Sequence, residues 1–542
     1  MTAKPADETP KRPRWPWVLA LLALGWVAIV RVPIILNAET HLDSDLAVDG
    51  LAVAEVVQGH WRWHFPGTPH IGIGSFLLAA PQMRIWGISP VTLSSGGLVA
   101  YSILMLSIFC LAWTSFGPCV AAWSLVPLAF ASTGLVWLSG RLNGGHLLAA
   151  TWHAGSLALL YACLARGGPK RPAVLGAWCG LGLWHDSMFW VTIASLAPVA
   201  CVAWWLAGRS RSGLVCALAF VLGFGIGIVP REVGRRVDPY DAYREQFAPI
   251  FQRDVLVGHT DILFLQCIPR LVAGHLLTSL ELPSEPPPEV ITGEHSHRGG
   301  ESALALTVTW ATTILALALF LGELIAIATP RGSPPDIPQL AVRGAIVLSS
   351  AAVMTAFILN QNIFNSDNYR YIIYLNIPWA IGFGLVMDRW SRRGRGGMAA
   401  AAGVSLLLAL LMTLDTALWY ERFGWIRDDG RPVRRTLHDP ALDWLRLHPD
   451  VTHVFGGYWD VYRLTFLTSG RVKGVPYPVF PNRYPEWSSG LPGGRPEVLI
   501  ARPTPEGYLY RNQAVQQGAK SALATPEVAI YLWPRRRERG TR

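Results

Sequence analysis

Apolar runs long enough to cross a bilayer recur along most of the chain, separated by short polar pieces, until the pattern changes after Trp419. A helix needs about 20 apolar residues to span the hydrocarbon core. Such runs fall at 17–36, 91–113, 117–138, 146–165, 173–187, 188–207, 213–230, 303–328, 343–360, 371–388 and 398–418, so about 11 transmembrane helices are expected. The stretch Ile71 to Trp86 is shorter, begins among Pro and Gly, and contains Pro81, Gln82 and Arg84, which points to an interfacial or re-entrant helix. Before it, Leu42 to Gly59 has the spacing of one amphipathic helix. Leu46, Val48, Leu51, Val53, Val56 and Val57 are available for burial there, and Ser44 or Asp43 can serve as cap.

Two regions break the membrane pattern. Between Arg231 and Ser302, Val255 to Thr278 predicts an amphipathic helix and Glu281 to Glu289 a Pro-rich acidic piece expected to be mobile. In 421–542 a helix is expected near Pro440 to Leu447, a strand at Val451 to Phe455 and a helix at Tyr458 to Thr468. Strands follow near Arg471 to Val475, Glu497 to Ala501 and Val528 to Leu532. The expected fold is an α-helical polytopic membrane domain, 17–420, carrying a small α/β domain, 421–542.

Composition excludes a soluble enzyme: 51% of the 542 residues are hydrophobic, 15% are charged and mean hydropathy is +0.31. The formal charge of +10 sits mainly in short clusters between apolar runs, a topology signal rather than a nucleic-acid footprint. If Ile71 to Trp86 does not cross, the tail 1–16 and the clusters Arg166–Arg171, Arg209–Arg211, Arg331–Arg343 and Arg389–Arg395 all fall on the cytoplasmic side. Loops 37–90 and 231–302 and the C-terminal domain then share the external, periplasmic face of a multi-pass protein of the cell inner membrane. The first run is long and lacks a small-x-small cleavage site, so it reads as a retained helix that doubles as targeting signal. Seven cysteines without CxxC spacing imply neither a disulfide framework nor a structural zinc site.

Candidate chemistry concentrates in His41-Leu-Asp-Ser-Asp-Leu-Ala-Val-Asp49, directly after the first run. Carboxylates beside a membrane are costly unless used. Capping and dipole complementation account for one of them, whereas three are present; Asp45 and Asp49, four residues apart, share a helix face. The following loop, Gly59 to Gly74, is dense in aromatics, His and Gly. Trp61 and Trp63 fit either interface anchoring or a place in a site, and His64 and His70 read as hydrogen-bonded loop histidines rather than metal ligands, with no HExxH pair to support zinc. At the mouth of the tenth span stands Asn365-Ser-Asp-Asn-Tyr-Arg-Tyr371, where Arg370 can bind a lipid phosphate or pair with Asp367. Arg141 to His146, His185-Asp186 and Glu323 read as structural.

Ser44-Asp-Leu-Ala-Val-Asp-Gly-Leu-Ala52, Gly67-Thr-Pro-His-Ile-Gly-Ile-Gly74, Ala80-Pro81 and Trp86-Gly87 together resemble the first external loop of the GT-C superfamily of polyprenyl-phosphate-dependent glycosyltransferases. The branch they are most similar to is that of the protein O-mannosyltransferases and aminoarabinose transferases. Asn368-Tyr-Arg-Tyr371 with Pro378 resembles that branch's late Arg-Tyr…Pro element, and Gly457-Tyr-Trp-Asp-Val-Tyr462 resembles the tail domains of some members. Many members have a second acid directly after the loop Asp, where this chain has Leu46, and a second acidic motif in the next outer loop, which Arg141 to His146 lacks.

The resemblance implies a membrane glycosyltransferase with a polyprenyl-phosphate sugar donor, an acceptor that is a glycan, lipid or protein, and membrane lipids as surroundings. By position Asp45 matches the family's loop carboxylate. As a general base it would make the reaction inverting, with Asp43 as the second catalytic candidate and Arg370, Tyr369, His70 and Asp49 as donor-binding candidates. No metal ligands are assigned, and a divalent cation stays open as a cofactor. Two other classes fit a polytopic chain: a transporter or flippase, which should show paired halves and buried charges along a path, and a non-catalytic scaffold for the C-terminal domain.

Overall fold

A computed structural model of the chain describes residues 13–142, 145–206, 210–242, 336–359, 366–491 and 496–534, with isolated positions between 267 and 327. Among the described residues, eight helices are long and apolar enough to cross a membrane: Trp15–Leu36, Pro90–Phe116, His146–Arg166, Ser187–Leu206, Gly213–Val237, Ile337–Ile358, Asn368–Ser391 and Arg395–Arg422. The run expected at 117–138 is broken into Pro118–Ala129 and Thr133–Ser139, bent by 86°. Ser132 caps the second piece by accepting from the Leu135 N–H at 3.2 Å. The run at 173–187 forms the 16-residue helix Lys170–His185, and of 303–328 only isolated positions are described. The reading at Glu281 to Glu289 lies outside the described residues, and of Val255 to Thr278 only Cys267 and Leu271 are described.

The break is held from two sides. Arg31, fully buried in the first span, donates through Nε to Ser139 Oγ at 2.6 Å and stands 4.3 Å from the Tyr101 ring centroid. Thr133 donates to Asp415 at 3.2 Å. A cation inside the hydrocarbon is costly unless its donors and charge are met, and here an aromatic face, a hydroxyl and the Val27 carbonyl meet part of that demand, leaving Nη2 buried without a hydrogen-bond partner.

After the first span, Ser44–Val57 is helical as expected, and Asp43 is its cap. A feature absent from the sequence reading follows: a hairpin pairs β1 (His64–Phe65) with β2 (Thr68–Gly72). Its two-residue turn needs a positive φ at the second position, which Gly67 supplies at +63°. Phe76–Trp86 then forms an 11-residue helix. At ~1.5 Å per residue it is about half the thickness of the hydrocarbon core, too short to cross.

The C-terminal domain is a five-stranded sheet, order β4-β3-β5-β7-β6, from β3 (His453–Gly456), β4 (Lys473–Pro476), β5 (Val498–Ala501), β6 (Lys520–Ala524) and β7 (Ala529–Leu532). β3 pairs in parallel with β4 and β5, while β7 runs antiparallel to β5 and β6. Alternation sends Val454, Ile500 and Ile530 to one face and Phe455, Leu499 and Tyr531 to the other, each face with its own core. The helix Pro505–Gln516 and β6 were not foreseen; β6 is mostly exposed and carries little apolar signal.

Helix Tyr458–Leu467 joins the two bodies. Leu464 faces the sheet core, while Tyr458, Val461, Tyr462 and Phe466 enter a second core with Leu46, Val48, Leu51, Phe76 and Leu93. Gly50 makes the approach close: a Cβ there would lie 2.6 Å from the Phe466 ring. The connecting segment is tied as well, Asn37 accepting from the Arg435 N–H at 2.8 Å and donating to the Val433 carbonyl at 2.7 Å.

Within the C-terminal domain, Arg463 and Arg502 both bind Asp439 and Asp460 out of water. Burial alone would raise the Asp439 carboxyl, but the two guanidinium groups outweigh it and hold it well below the usual carboxylate range. A carboxyl depressed by folding stabilises the fold above its unfolded value near 4, and that contribution is lost progressively as pH falls below it. Asp439→Asn should therefore destabilise this domain by about 3–5 kcal/mol at pH 7 and flatten its acid sensitivity below about pH 4. Protease susceptibility of 421–534 in the full-length protein, titrated against urea at several pH values, checks this; an unchanged acid response would contradict it.

Candidate active site

The acidic segment lies where the membrane helices, the hairpin and the C-terminal domain meet. Asp43 Oδ1 accepts from the Leu46 backbone N–H at 2.8 Å and its Oδ2 accepts from the Arg141 guanidinium, so both carboxylate oxygens are engaged in structure. Arg141 also lies over the Trp137 ring, 4.4 Å from its centroid. His41 packs between Trp137 and Trp425 with Nε2 2.9 Å from the Ile34 carbonyl. Burial, then the Arg141 charge, push its imidazole down to about 3, so it is neutral at pH 7.

Asp45, in the first turn of the same helix, is half-buried and differently met. Its Oδ1 accepts from the Tyr458 hydroxyl at 2.6 Å. Arg483 donates through Nε to that hydroxyl at 3.3 Å, and through Nη1 to the Pro66 carbonyl at 3.3 Å and to Thr68 Oγ1. A polar chain thus runs from the hairpin through the C-terminal domain to the Asp45 carboxylate. Asp49, one turn further on, is buried.

Arg370 belongs to a second group. It lies in the short-helical segment Ser366–Leu375, partly buried, 5.3 Å from the Tyr371 ring centroid. That ring meets His146 edge-on at 5.1 Å, and His146 Nδ1 is 3.9 Å from Asp186 Oδ2. β2 connects the two groups, because Thr68 receives Arg483 while Ile71 bridges to Asp186. The Tyr369 hydroxyl donates to the Gly134 carbonyl at 2.8 Å, a structural use for a residue expected among the donor-binding set. The side chain of Asp367 lies outside the described residues. His70, on β2, is held down to about 4 by burial first and then by Arg483, Arg231 and Arg235, which together outweigh Asp241. At pH 7 it can offer a neutral N–H, not a charge.

Sequence reading missed Tyr458 and Arg483 as site residues. Tyr458 sits in a quoted motif with nothing to mark its partner, and Arg483, in Pro481-Asn-Arg-Tyr-Pro485, carries no signal at all. Beside the joint, Glu55, Arg62, Trp61, Trp63 and Asp238 line a cavity of about 360 Å³. Arg62 is paired with Glu55 and lies 3.8 Å from Asp238. Among the described residues no three His, Cys, Asp or Glu side chains gather into a group that could hold a metal ion.

The comparison that decides the fold is with solved structures. ArnT from Cupriavidus metallidurans, in the apo state and bound to undecaprenyl phosphate, superposes with a TM-score of 0.58 at 13% identity, over 95% of this chain and 97% of that one. The chain has the GT-C fold. The Archaeoglobus fulgidus oligosaccharyltransferase in the apo form matches at TM-score 0.51 and 13% identity, over 91% of this chain and 70% of that one. Archaeal oligosaccharyltransferase AglB from the same organism, in complex with an inhibitory peptide and a dolichol-phosphate, matches at TM-score 0.51 and 13% identity, over 90% and 69%. No protein-family model and no curated protein matches the sequence. In this GT-C fold the acidic helix is placed by contacts from two bodies rather than by its own loop.

Arg141→Met should leave the nearly buried Asp43 carboxylate without its cation and cost about 3–5 kcal/mol. Adding Asp43→Asn, which keeps a capping side chain while removing the charge, should recover a large part of that loss. Thermal unfolding of Arg141→Met, Asp43→Asn and the double variant in nanodiscs checks the pairing, and additive losses would contradict it.

Proposed function

We propose that the chain is a membrane glycosyltransferase that moves a sugar from a polyprenyl-phosphate-linked donor to an acceptor hydroxyl at the external face of the membrane, with Asp45 as general base. The observation that carries this reading is the half-buried Asp45 carboxylate at the joint of two bodies, in a fold shared over nearly its whole length with an ArnT structure that holds undecaprenyl phosphate.

The chemistry asks little of the protein beyond placement. The acceptor oxygen attacks the anomeric carbon, the bond from that carbon to the phosphate oxygen breaks, Asp45 takes the acceptor's proton, and polyprenyl phosphate leaves with its charge. The phosphate is a good leaving group, so one base suffices; direct attack from the opposite face inverts the anomeric configuration. Arg370 supplies positive charge toward the departing phosphate, with His70, on β2, as a neutral hydrogen-bond donor. Asp43 serves this site as cap and ion-pair partner of Arg141, fixing the turn from which Asp45 projects.

Asp45→Asn should lower turnover of a polyprenyl-phosphate sugar by at least about 10²-fold, the lower end of a base's contribution. Arg370→Ala should chiefly raise the donor KM. Consumption of undecaprenyl-phosphate-linked sugars by purified protein in nanodiscs checks both; near-normal transfer by Asp45→Asn would remove it from the reaction. A single cysteine at His60, in a background lacking the seven native ones, should react with a membrane-impermeant maleimide from outside intact cells. Labelling only after permeabilisation would overturn the external placement.

A further inference from the structure

Resting on the assignment of Asp45 as base, we propose that Tyr458 is a positioning residue for its carboxylate, braced by Arg483, so that transfer depends on a hydroxyl supplied by the C-terminal domain. A 2.6 Å contact between a phenol and a carboxylate oxygen lies in the range of charge-assisted hydrogen bonds. The phenol has one proton. A guanidinium only donates, so Arg483 must use a lone pair of the Tyr458 oxygen, which directs the single proton to Asp45.

Neither partner has room to wander. Tyr458 is 3% exposed, its ring edge-on to Tyr462 at 5.6 Å, and Arg483 is buried with its far end donating to Pro66 and Thr68. One carboxylate oxygen is thereby fixed and the plane of the group oriented, leaving Oδ2 to meet the acceptor hydroxyl. Arg483 joins the hairpin to the same hydroxyl, so undocking the C-terminal domain would release the carboxylate and loosen the hairpin together.

The test removes the hydroxyl and keeps the ring. In full-length protein in nanodiscs supplied with undecaprenyl-phosphate-linked sugars, Tyr458→Phe should lower kcat about 10- to 100-fold, the scale of a lost orientation, while the donor KM stays within about twofold. The same substitution in an Asp45→Asn background should cost nothing further, because the two residues act as one unit. Arg483→Gln should lower kcat in the same direction, which keeps the inference testable if the Phe variant folds poorly. Two results would overturn it. One is a Tyr458→Phe enzyme with turnover within twofold of the parent while Asp45→Asn is inactive; the other is an equal fold-loss in both backgrounds, which would make Tyr458 merely structural. An active Asp45→Asn enzyme would instead overturn the base assignment itself.

Discussion

The whole arrangement depends on burying one short polar-bearing helix on more than one side. Of the fourteen residues of Ser44–Val57, nine are buried, Ser44 and Asp49 among them. A loop helix lying on a membrane surface would bury one stripe and leave its acids in water. Here the membrane helices and the short helix Phe76–Trp86 cover one side, and Tyr458, Val461, Tyr462 and Phe466 cover another. Once water is excluded, each carboxylate must find a partner inside the protein, because an unpaired buried charge costs several kcal/mol. Arg141 answers Asp43 from the membrane-domain side, and Tyr458 answers Asp45 from the C-terminal domain.

What was legible in the sequence follows from how far each signal reaches. Eight of the eleven expected spans and the α/β character after Trp419 depend on residues within one or two turns, so hydropathy and period sufficed to find them; the runs at 117–138 and 173–187 did not form single spanning helices. The helix at 440–447, the helix after Gly457 and four of the five sheet strands were found within two residues. The hairpin was not, because its first strand has only two residues and no period to detect, so that the turn signal Pro66-Gly67 stood without a readable strand before it. β6 escaped because its solvated edge position needs no alternation of apolar residues. Arg31 escaped for the opposite reason: one cation inside a strongly apolar run barely alters the run's hydropathy, while its partners Tyr101 and Ser139 lie far along the chain.

The site divides in the same way. Asp43 as cap and the acidic cluster itself could be read locally. The contact that distinguishes Asp45 from its neighbours spans 413 residues of sequence, and no periodicity reports on such a pair. Gly50 shows how little trace the joint leaves: its missing side chain admits the Phe466 ring, yet in sequence it is simply a glycine in a helix. His70 shows that a residue type alone does not report charge, since burial first, and then the cations gathered around it, hold its imidazole down to about 4.

The choice of partner separates a structural carboxylate from one free to act. Asp43, Glu55, Asp439 and Asp460 each bind a guanidinium directly. A guanidinium occupies carboxylate lone pairs with several donors and neutralises the charge that proton transfer requires, which suits a bolt and not a base. Asp45 instead binds a neutral hydroxyl, and the nearest arginine in that chain, Arg483, reaches the hydroxyl and not the carboxylate. Orientation is then obtained without neutralisation. Asp45 as the proposed base would need both, since it would have to hold its direction among mobile lipid and acceptor groups and still present an anionic oxygen when the acceptor arrives. That requirement would give the C-terminal domain a physical reason to be fused to the membrane helices rather than to float beside them.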